Sequence, residues 1–292
     1  MSLTCRPATV SRLPICCTTL NGYTHYPPSS RRSSRPPILA SAPGKATAAV
    51  LSSRDESPPA SLFGSNIAAC LNVPKKQYGV PAEIIVGIIG VETIYGRNIG
   101  KFQTFAALST LAFYYPPRAE LFRNELEALL LLARDEGRDP LSYRGSYAGA
   151  LGLPQFLPSS VRSWAVDFDG DGKIDLATTA DAIGSVAHYL ADHGWTKDGP
   201  ILATAIVEGE GFNELLKEGI VPKRTTQELV AFDVRTATAP DLPAALIDLV
   251  TPGEPTEYRL GFHNFYVLTR YNQSSFYAAA VYDLAVALKE RQ

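Results

Sequence analysis

Glu92 is a single carboxylate in an otherwise apolar stretch, IIVGIIGVETIYG, at residues 84–96. Removing an ionised carboxylate from water is costly, and apolar surroundings favour its protonated form. A carboxylic acid that keeps its proton near neutral pH can act as a general acid. We therefore take Glu92 as the candidate acid of an enzyme. The alternative is structural: a helix ends there, and Glu92 turns to solvent beside Arg97.

An acidic segment, DFDGDGKID at residues 167–175, has the spacing of a cation-binding loop. Aspartates at alternate positions followed by a glycine are typical of the first half of an EF-hand calcium loop. Thr178 replaces the glutamate that usually ends such a loop, but Asp181 could close a longer one. The predicted ligands are Asp167, Asp169, Asp171, the carbonyl of Lys173, and Asp181. The alternative is a solvated acidic turn.

The segment GSYAGALGLPQFLPSS at residues 145–160 combines small residues with polar and aromatic ones. Small residues let a backbone approach a ligand closely. Ser146 and Gln155 offer hydrogen bonds, and Tyr147 and Phe156 offer flat apolar faces. This mixture suits a sugar, which has polar edges and apolar faces. Close packing of helices explains the small residues equally well.

A further segment, FYVLTRYNQSSFY at residues 265–277, places Tyr271, Asn272 and Tyr277 at a predicted strand-to-helix junction. Their side chains are candidates for contacts with the same ligand. The alternative is a core strand followed by a capped helix, with Tyr271 packed in the core.

The composition argues against two classes of function. The net charge is −2 and the basic residues are scattered, so nothing predicts a nucleic-acid partner. No run of about eighteen apolar residues predicts a transmembrane segment. The four cysteines all precede residue 71, so the rest of the chain needs no disulfide.

The first part of the chain differs from the rest. Residues 1–72 are rich in Ser, Pro, Thr and Arg, which predicts disorder. No apolar stretch of about 7–15 residues follows an early basic region, so no normal secretory signal is predicted. The tetrad IAAC at residues 67–70 is similar to the end of a bacterial lipoprotein signal.

The elements that must position the candidate residues are mainly helical. Helices are predicted from Pro81 through Glu92, at 119–136 with Gly137 as cap, at 181–193 with Asp181 as N-cap, and at 275–290. Short runs at 229–234, 245–250 and 257–260 predict a small sheet. We therefore predict an α+β, mainly helical fold: a core at 73–198, a small β domain at 199–264, and a return to the core at 265–292.

These separated motifs occur in an order that resembles the lytic murein transglycosylase B family of bacteria, in its soluble and membrane-bound forms. The resemblance runs from about Tyr78 to the end of the chain. It includes YGVPAEIIVGIIGVETIYGRNIGKF, PRAELF at 117–122, GSYAGALGLPQFLPSS, the acidic loop with DAIGSVAHYLADHGW, and FYVLTRYNQSSFYA. It implies a lysozyme-like core with an EF-hand-type calcium loop, a helical domain and a small inserted β domain.

The resemblance also assigns roles by position. It makes Glu92 the catalytic acid and base, and it makes the acidic residues above the ligands of a structural Ca²⁺. The positions that match glycan contacts are Arg118, Ser146, Gln155, Tyr189, Tyr271, Asn272 and Tyr277. Three features depart from the family: Pro117 stands in a usually basic pair with Arg118, leucines replace two usual methionines, and the region before residue 73 does not look like the start of the family's helical domain.

The implied activity is cleavage of the β-1,4 bond between N-acetylmuramic acid and N-acetylglucosamine in peptidoglycan, leaving a 1,6-anhydro end. Ordinary glycoside hydrolysis uses two carboxylates, whereas the motifs here provide only Glu92. Two alternatives stay open: a lysozyme-type hydrolase, with Asp135 or Glu136 as a candidate second carboxylate, and a non-catalytic peptidoglycan-binding remnant. By resemblance we expect a monomer that acts on glycan strands in the periplasm or at the outer membrane.

Overall fold

The computed structural model describes residues 75–290. The predictions for the N-terminal segment, its cysteines and its IAAC tetrad lie outside the described residues. The helices are α1 (Ala82–Thr93), α2 (Thr104–Tyr114), α3 (Ala119–Asp135), α4 (Pro158–Trp164), α5 (Thr179–Asp192), α6 (Phe212–Lys217), α7 (His263–Tyr271) and α8 (Ser275–Lys289). The strands are β1 (Phe102–Gln103), β2 (Arg144–Gly145), β3 (Leu202–Thr204), β4 (Ile206–Val207), β5 (Arg224–Thr225), β6 (Val234–Arg235), β7 (Pro243–Leu249) and β8 (Glu257–Gly261).

Helix α1 runs through the main core and is buried on nearly every side. Its isoleucines at 84, 85, 88 and 89 are almost completely inaccessible to solvent. Pro81 precedes the helix in an extended conformation, so the helix begins one residue later than the predicted start at Pro81. Glu92, in the last turn, is only half-buried. The helix therefore places the carboxylate of Glu92 at the edge of the core.

Two glycines let α1 lie directly against α8. A β-carbon on Gly87 would stand 2.9 Å from the carbonyl oxygen of Val281, and one on Gly90 would stand 2.7 Å from the ring of Tyr95 and 3.0 Å from Leu284. Real β-carbons almost never approach other atoms so closely. The apolar run of α1 thus needs its glycines for packing, not for flexibility.

Replacing Gly87 with alanine is expected to destabilise the protein by about 1–3 kcal/mol, because the methyl group overpacks the α1–α8 contact against backbone. That loss exceeds the gain in helix propensity, which is at most about 1 kcal/mol. The change would be measured as a shift in the urea concentration at the midpoint of unfolding, with one m-value fitted to both parent and variant. A midpoint at or above that of the parent would show that the two helices can separate at no cost.

The predicted helix at 119–136 is confirmed as α3, and Gly137 follows it with a left-handed φ of 63°. Helices α2 and α3 pack against each other and continue into α4 through the segment at 145–157. The sugar-binding candidates therefore lie, along the chain, in the connection between α3 and α4. No helix among residues 75–290 is both long and apolar enough to cross a bilayer.

The predicted small sheet is present, and it has four antiparallel strands in the order β3-β8-β7-β5. Strand β7 is buried on both faces: Ala245 and Ile247 join the main core, while Ala244 and Leu246 join a second core. Two buried faces explain the apolar run at 244–247, which ends at the exposed Asp248. The sheet is tied to the last helix by Arg259 of β8, whose guanidinium donates to both oxygens of Asp283 at 2.6 and 2.9 Å.

The predicted strand at 229–234 is wrong. Residues Glu228–Phe232 form a 3-10 helix, and Asp233 ends it in a left-handed conformation with φ of 62°. Only the two residues of β6 pair with β4. The β-branched and aromatic content suggested a strand, but Leu229 alone of the helical stretch is fully buried while Val230 is exposed. One buried anchor fits a single helical turn better than an alternating strand.

The predicted strand around 265–271 is also wrong, since this stretch is helix α7. The fully buried residues Phe265, Leu268 and Thr269 recur at helical spacing. The buried Asn264 fixes the start: its amide accepts from Thr196 N at 2.8 Å and donates to the Thr196 and Gly199 carbonyls. Tyr271 and Tyr277 therefore lie at a helix-to-helix junction. The cap of α8 is Ser274, whose hydroxyl accepts from Tyr277 N.

Candidate active site

Glu92 lies just before a short segment with unusual backbone conformation. Helix α1 ends at Thr93, and the next three residues all have left-handed backbone: Ile94 at φ 51°, Tyr95 at 55° and Gly96 at 88°. A β-branched residue in this region is strained. The Thr93 hydroxyl accepts from Gly96 N at 3.0 Å and so fastens the turn. Strain that is held in place by hydrogen bonds is common where a functional side chain must be fixed.

Two tyrosines face Glu92: Tyr277, which is buried, and Tyr271, which is half-buried. Burial raises the pKa of Tyr277 well above its usual value, and the charge of Glu92 and a hydrogen bond to it act in the same direction. Burial, then the charge of Glu92, likewise raises the pKa of Tyr271. The contact between Tyr277 and Glu92 is not ideal, because the hydroxyl meets no acceptor with standard geometry. Both phenols stay protonated at neutral pH, so they act as donors.

The tyrosines belong to a larger aromatic cluster. Tyr271 lies 4.9 Å from Tyr189 and 5.8 Å from Phe156, and it stacks on Tyr277 at 6.3 Å, measured between ring centroids. The hydroxyl of Tyr271 donates to the carbonyl of Pro154 at 2.6 Å. Tyr189 donates to the carbonyl of Arg270 at 2.8 Å, and burial raises its pKa to about 12. Three of the predicted contact residues are thus gathered beside Glu92.

The segment at 145–157, here called the site loop, is tightly folded on itself. The Ser146 hydroxyl accepts from Ala150 N at 3.0 Å. Leu151 and Phe156 exchange two backbone hydrogen bonds, which forces Gln155 into a left-handed conformation with φ of 52°. The Gln155 amide donates to the Gly152 carbonyl at 2.9 Å. The small residues at 145, 149 and 152 permit these close approaches, since a β-carbon on each would clash.

The remaining predicted contact residues are placed less tightly. Asn272 ends α7 in an extended conformation, half-buried beside Tyr271. Arg118 is exposed at the end of a short 3-10 helix, and its guanidinium lies 5.8 Å from the ring centroid of Phe122. Tyr147 is 46% exposed. None of these three side chains is in the aromatic cluster itself.

The acidic loop brings three of its predicted ligands together. Carboxylate oxygens of Asp167, Asp169 and Asp181 all lie within 4.8 Å of one another. Such a set of hard oxygen donors fits Ca²⁺. The carboxylate of Asp171 is not in this group of three, and it accepts from Lys173 N at 2.8 Å.

Asp181 was predicted as the N-cap of α5, and this is wrong. Thr178 is the N-cap, and its hydroxyl accepts from the backbone N–H of Asp181. The Asp181 carboxylate, 2% exposed, instead accepts from Phe168 N at 2.8 Å and from Asp175 N at 2.7 Å. It therefore joins the two sides of the acidic loop. A threonine at the usual position of the last ligand was the sequence signal for this cap.

The two candidate second carboxylates are engaged elsewhere. Asp135 is exposed and pairs with Arg134 at 2.7 Å and with Arg162 at 3.3 Å. Glu136 accepts from Tyr143 at 2.6 Å and pairs with Arg138. Among residues 75–290, Glu92 is the one carboxylate whose charge acts on both Tyr271 and Tyr277.

Sequence reasoning missed two residues close to this arrangement. Trp164 packs edge-on against Tyr189 at 4.9 Å, and His193 stacks on Tyr189 at 3.9 Å and lies 4.9 Å from Trp164, between ring centroids. Trp164 also donates to Asp192 at 2.7 Å. Trp164 is the last residue of α4, and His193 directly follows α5. In the sequence, an aromatic residue at the end of a helix cannot be told from one that packs in the core.

A comparison with protein families identifies the family of this chain. Residues 60–286 match the model of the transglycosylase SLT domain. The chain belongs to this family. The match begins at residue 60, so it extends upstream of the predicted core boundary at 73 and of the motif-based start near Tyr78.

Individual relatives agree with this assignment. The membrane-bound lytic murein transglycosylase B of Escherichia coli (strain K12) is 46% identical over 239 residues, which cover 79% of this chain and 64% of that protein. The chain thus spans just under two thirds of the length of this curated relative. The predicted resemblance to the lytic murein transglycosylase B family is confirmed.

Solved structures confirm the mainly helical α+β fold. The soluble lytic transglycosylase SltB1 from Pseudomonas aeruginosa matches with a TM-score of 0.77 and 46% identity, covering 86% of this chain and 84% of that one. The lytic transglycosylase Slt35 of Escherichia coli, in complex with calcium, matches with a TM-score of 0.73 and 41% identity, covering 85% and 78%.

Proposed function

We propose that this protein is a peptidoglycan lytic transglycosylase. It cleaves the β-1,4 bond between N-acetylmuramic acid and N-acetylglucosamine and leaves a 1,6-anhydromuramic acid end. The observation that carries the proposal is a single half-buried carboxylate, Glu92, facing the neutral phenols of Tyr271 and Tyr277. Family membership and the names of the similar proteins support the same substrate class.

Glu92 would perform both proton transfers. Protonated, it gives its proton to the glycosidic oxygen as the bond from that oxygen to the anomeric carbon breaks, and the substrate's own N-acetyl group stabilises the cationic centre. Glu92, now a carboxylate, takes the proton of the sugar's 6-hydroxyl while this oxygen bonds to the anomeric carbon. No water is consumed, and Glu92 is restored to its starting state.

The tyrosines would orient this carboxyl group rather than exchange protons with it. Their pKa values are raised by burial and by Glu92, so neither phenol ionises near neutral pH. Tyr277 can donate to Glu92 when it is a carboxylate, and this interaction strengthens as the first proton leaves. Tyr271 is held by Pro154 and keeps the aromatic wall in place.

The glycan would lie along the site loop and the aromatic cluster. Ser146 and Gln155 offer polar groups, Tyr189 and Asn272 line the same region, and Arg118 lies farther out on the exposed rim. Because Pro117 replaces a usual basic residue next to Arg118, we expect weaker binding of acidic substituents there.

We further propose that Asp167, Asp169 and Asp181 hold a structural Ca²⁺, with Asp171 and the Lys173 carbonyl completing an EF-hand-type loop. The three clustered carboxylates repel one another, and a bound cation removes this repulsion. A calcium complex is named for the similar Slt35 structure. The ion would fix the loop that leads into α5, the helix that carries Tyr189.

For location and partners we propose a cell-envelope enzyme, periplasmic or at the outer membrane, that acts on glycan strands as a monomer. The Escherichia coli relative is named as membrane-bound.

A lysozyme-type hydrolase is the nearest alternative. It needs a second carboxylate about 5–9 Å from the first. The candidates Asp135 and Glu136 are paired with arginines on the surface of α3 and its C-terminal end. No observation favours this alternative over a single-carboxylate mechanism.

Digestion of purified sacculi followed by mass spectrometry of the released fragments tests the proposal. We expect fragments with anhydro ends. Reducing ends would identify a hydrolase instead, and binding to sacculi without release would identify a non-catalytic remnant.

A further inference from the structure

We propose that Glu125 is a positioning residue of the active site, which anchors the site loop through Ser159. Glu125 lies on α3 and is only 5% exposed. Its two oxygens accept from the hydroxyl and from the backbone N–H of Ser159, at 2.7 and 2.9 Å. No salt bridge among residues 75–290 involves Glu125. Its buried carboxylate is thus satisfied by Ser159.

This contact takes the place of a local helix cap. Helix α4 begins at Pro158, and the preceding Leu157 makes no side-chain capping hydrogen bond. The first N–H groups of a helix need acceptors and carry partial positive charge. Glu125 supplies both an acceptor and a negative charge from a neighbouring helix. It therefore fixes where α4 starts and, with it, where the site loop ends.

Helix α4 touches the aromatic cluster from both ends. Just before it, Phe156 packs on Tyr189 and Tyr271 at 5.6 and 5.8 Å, between ring centroids. At its other end, Trp164 packs on Tyr189. A displacement of α4 therefore disturbs Tyr189 from two directions and Tyr271 from one. It also moves Gln155, which is four residues from Ser159 along the chain.

The inference rests on the proposed function for its kinetic test, so a second readout that needs no activity accompanies it. The chain has two tryptophans, Trp164 and Trp195. In a Trp195→Phe background, fluorescence reports Trp164 alone, at the end of the helix that Glu125 anchors. All variants are compared within that background.

The decisive variant is Glu125→Ala, with Glu127→Ala on the exposed side of the same helix as the matched control. We expect the KM for a defined glycan oligomer to rise about tenfold, because the net free energy of about one hydrogen bond is lost. The kcat should change less, and Trp164 emission should shift. Glu125→Gln should restore most of the KM, because its amide can still accept from the N–H and donate to the hydroxyl.

Ser159→Ala is expected to raise KM by a smaller factor, since the backbone contact remains, and to add little on top of Glu125→Ala. A merely structural role would lower the folded fraction, and hence kcat, without moving KM. The proposal is therefore overturned if Glu125→Ala changes kcat in proportion to stability while KM and Trp164 emission match the control.

Other outcomes are equally decisive. If Glu125→Ala does not fold, Ser159→Ala decides the matter, and an unchanged KM and emission in that variant would overturn the proposal. If the parent protein cleaves no glycan, the proposed function fails on its own. Trp164 emission in the same variants then decides whether Glu125 positions α4.

Discussion

Replacing Glu92 with glutamine is expected to lower the rate of glycan cleavage by a factor of about 10²–10⁴ or more, the usual cost of removing a general acid. The amide keeps the size of the side chain and can still accept from Tyr277, so the fold and the affinity for glycan fragments should be retained. It cannot give or take the proton. Release of soluble fragments from sacculi measures the rate, and calorimetry with a glycan fragment measures binding.

The matched control is Glu83→Gln, the same substitution in the first turn of the same helix. Glu83 pairs with Lys289 at 3.9 Å, at the opposite end of α1 from Glu92. This variant should cleave at the parent rate. If Glu92→Gln cleaves nearly as fast as Glu83→Gln, Glu92 is not the acid.

Replacing Asp181 with alanine is expected to have the largest effect on stability. The change leaves the N–H groups of Phe168 and Asp175 without their acceptor, at a cost of about 1–3 kcal/mol each. It also removes a predicted calcium ligand. For a domain of this size the Tm should fall by on the order of 5–15 °C.

The calcium part of this loss can be separated from the hydrogen-bonding part. Calcium at about a hundred times its Kd would stabilise the parent by about 2.7 kcal/mol, so chelation should lower the parent's Tm. Asp181→Ala should lose most of that response, whereas Asp248→Ala, at an exposed position of β7, should keep it. A parent Tm that is unchanged by chelator would contradict the calcium site.

The parts of the fold that the sequence predicted best are those with one repeating signal. The apolar stripe and terminal glycine of α3 predict that helix to within one residue, and the predicted strand at 245–250 is confirmed as part of β7, which ends at Leu249. The errors occur where composition and spacing disagree. Around 265–271 aromatic and β-branched residues indicated a strand, but Phe265 and Leu268 are buried at helical spacing. Tertiary packing decides such cases.

The site was predictable in its residue types but not in its connections. Glu92 stands out because a carboxylate is expensive among isoleucines. The segment at 265–277 and the family resemblance point to Tyr271 and Tyr277. Nothing local indicates that Ile94 and Tyr95 adopt left-handed backbone after it. Glu125 also gave no signal, because its partner Ser159 is distant in sequence. A buried carboxylate on an amphipathic helix looks like a solvated one until its partner is known.

In the proposed reaction the sugar's own 6-hydroxyl, and not water, attacks the anomeric carbon. The most direct measurement is digestion of purified glycan strands in water labelled with the heavy oxygen isotope, followed by mass spectrometry of the new muramic acid ends. We predict ends that are lighter by one water than a reducing end and that contain no label. Reducing ends that carry the heavy oxygen would contradict the claim, because they would show that Glu92 activates water.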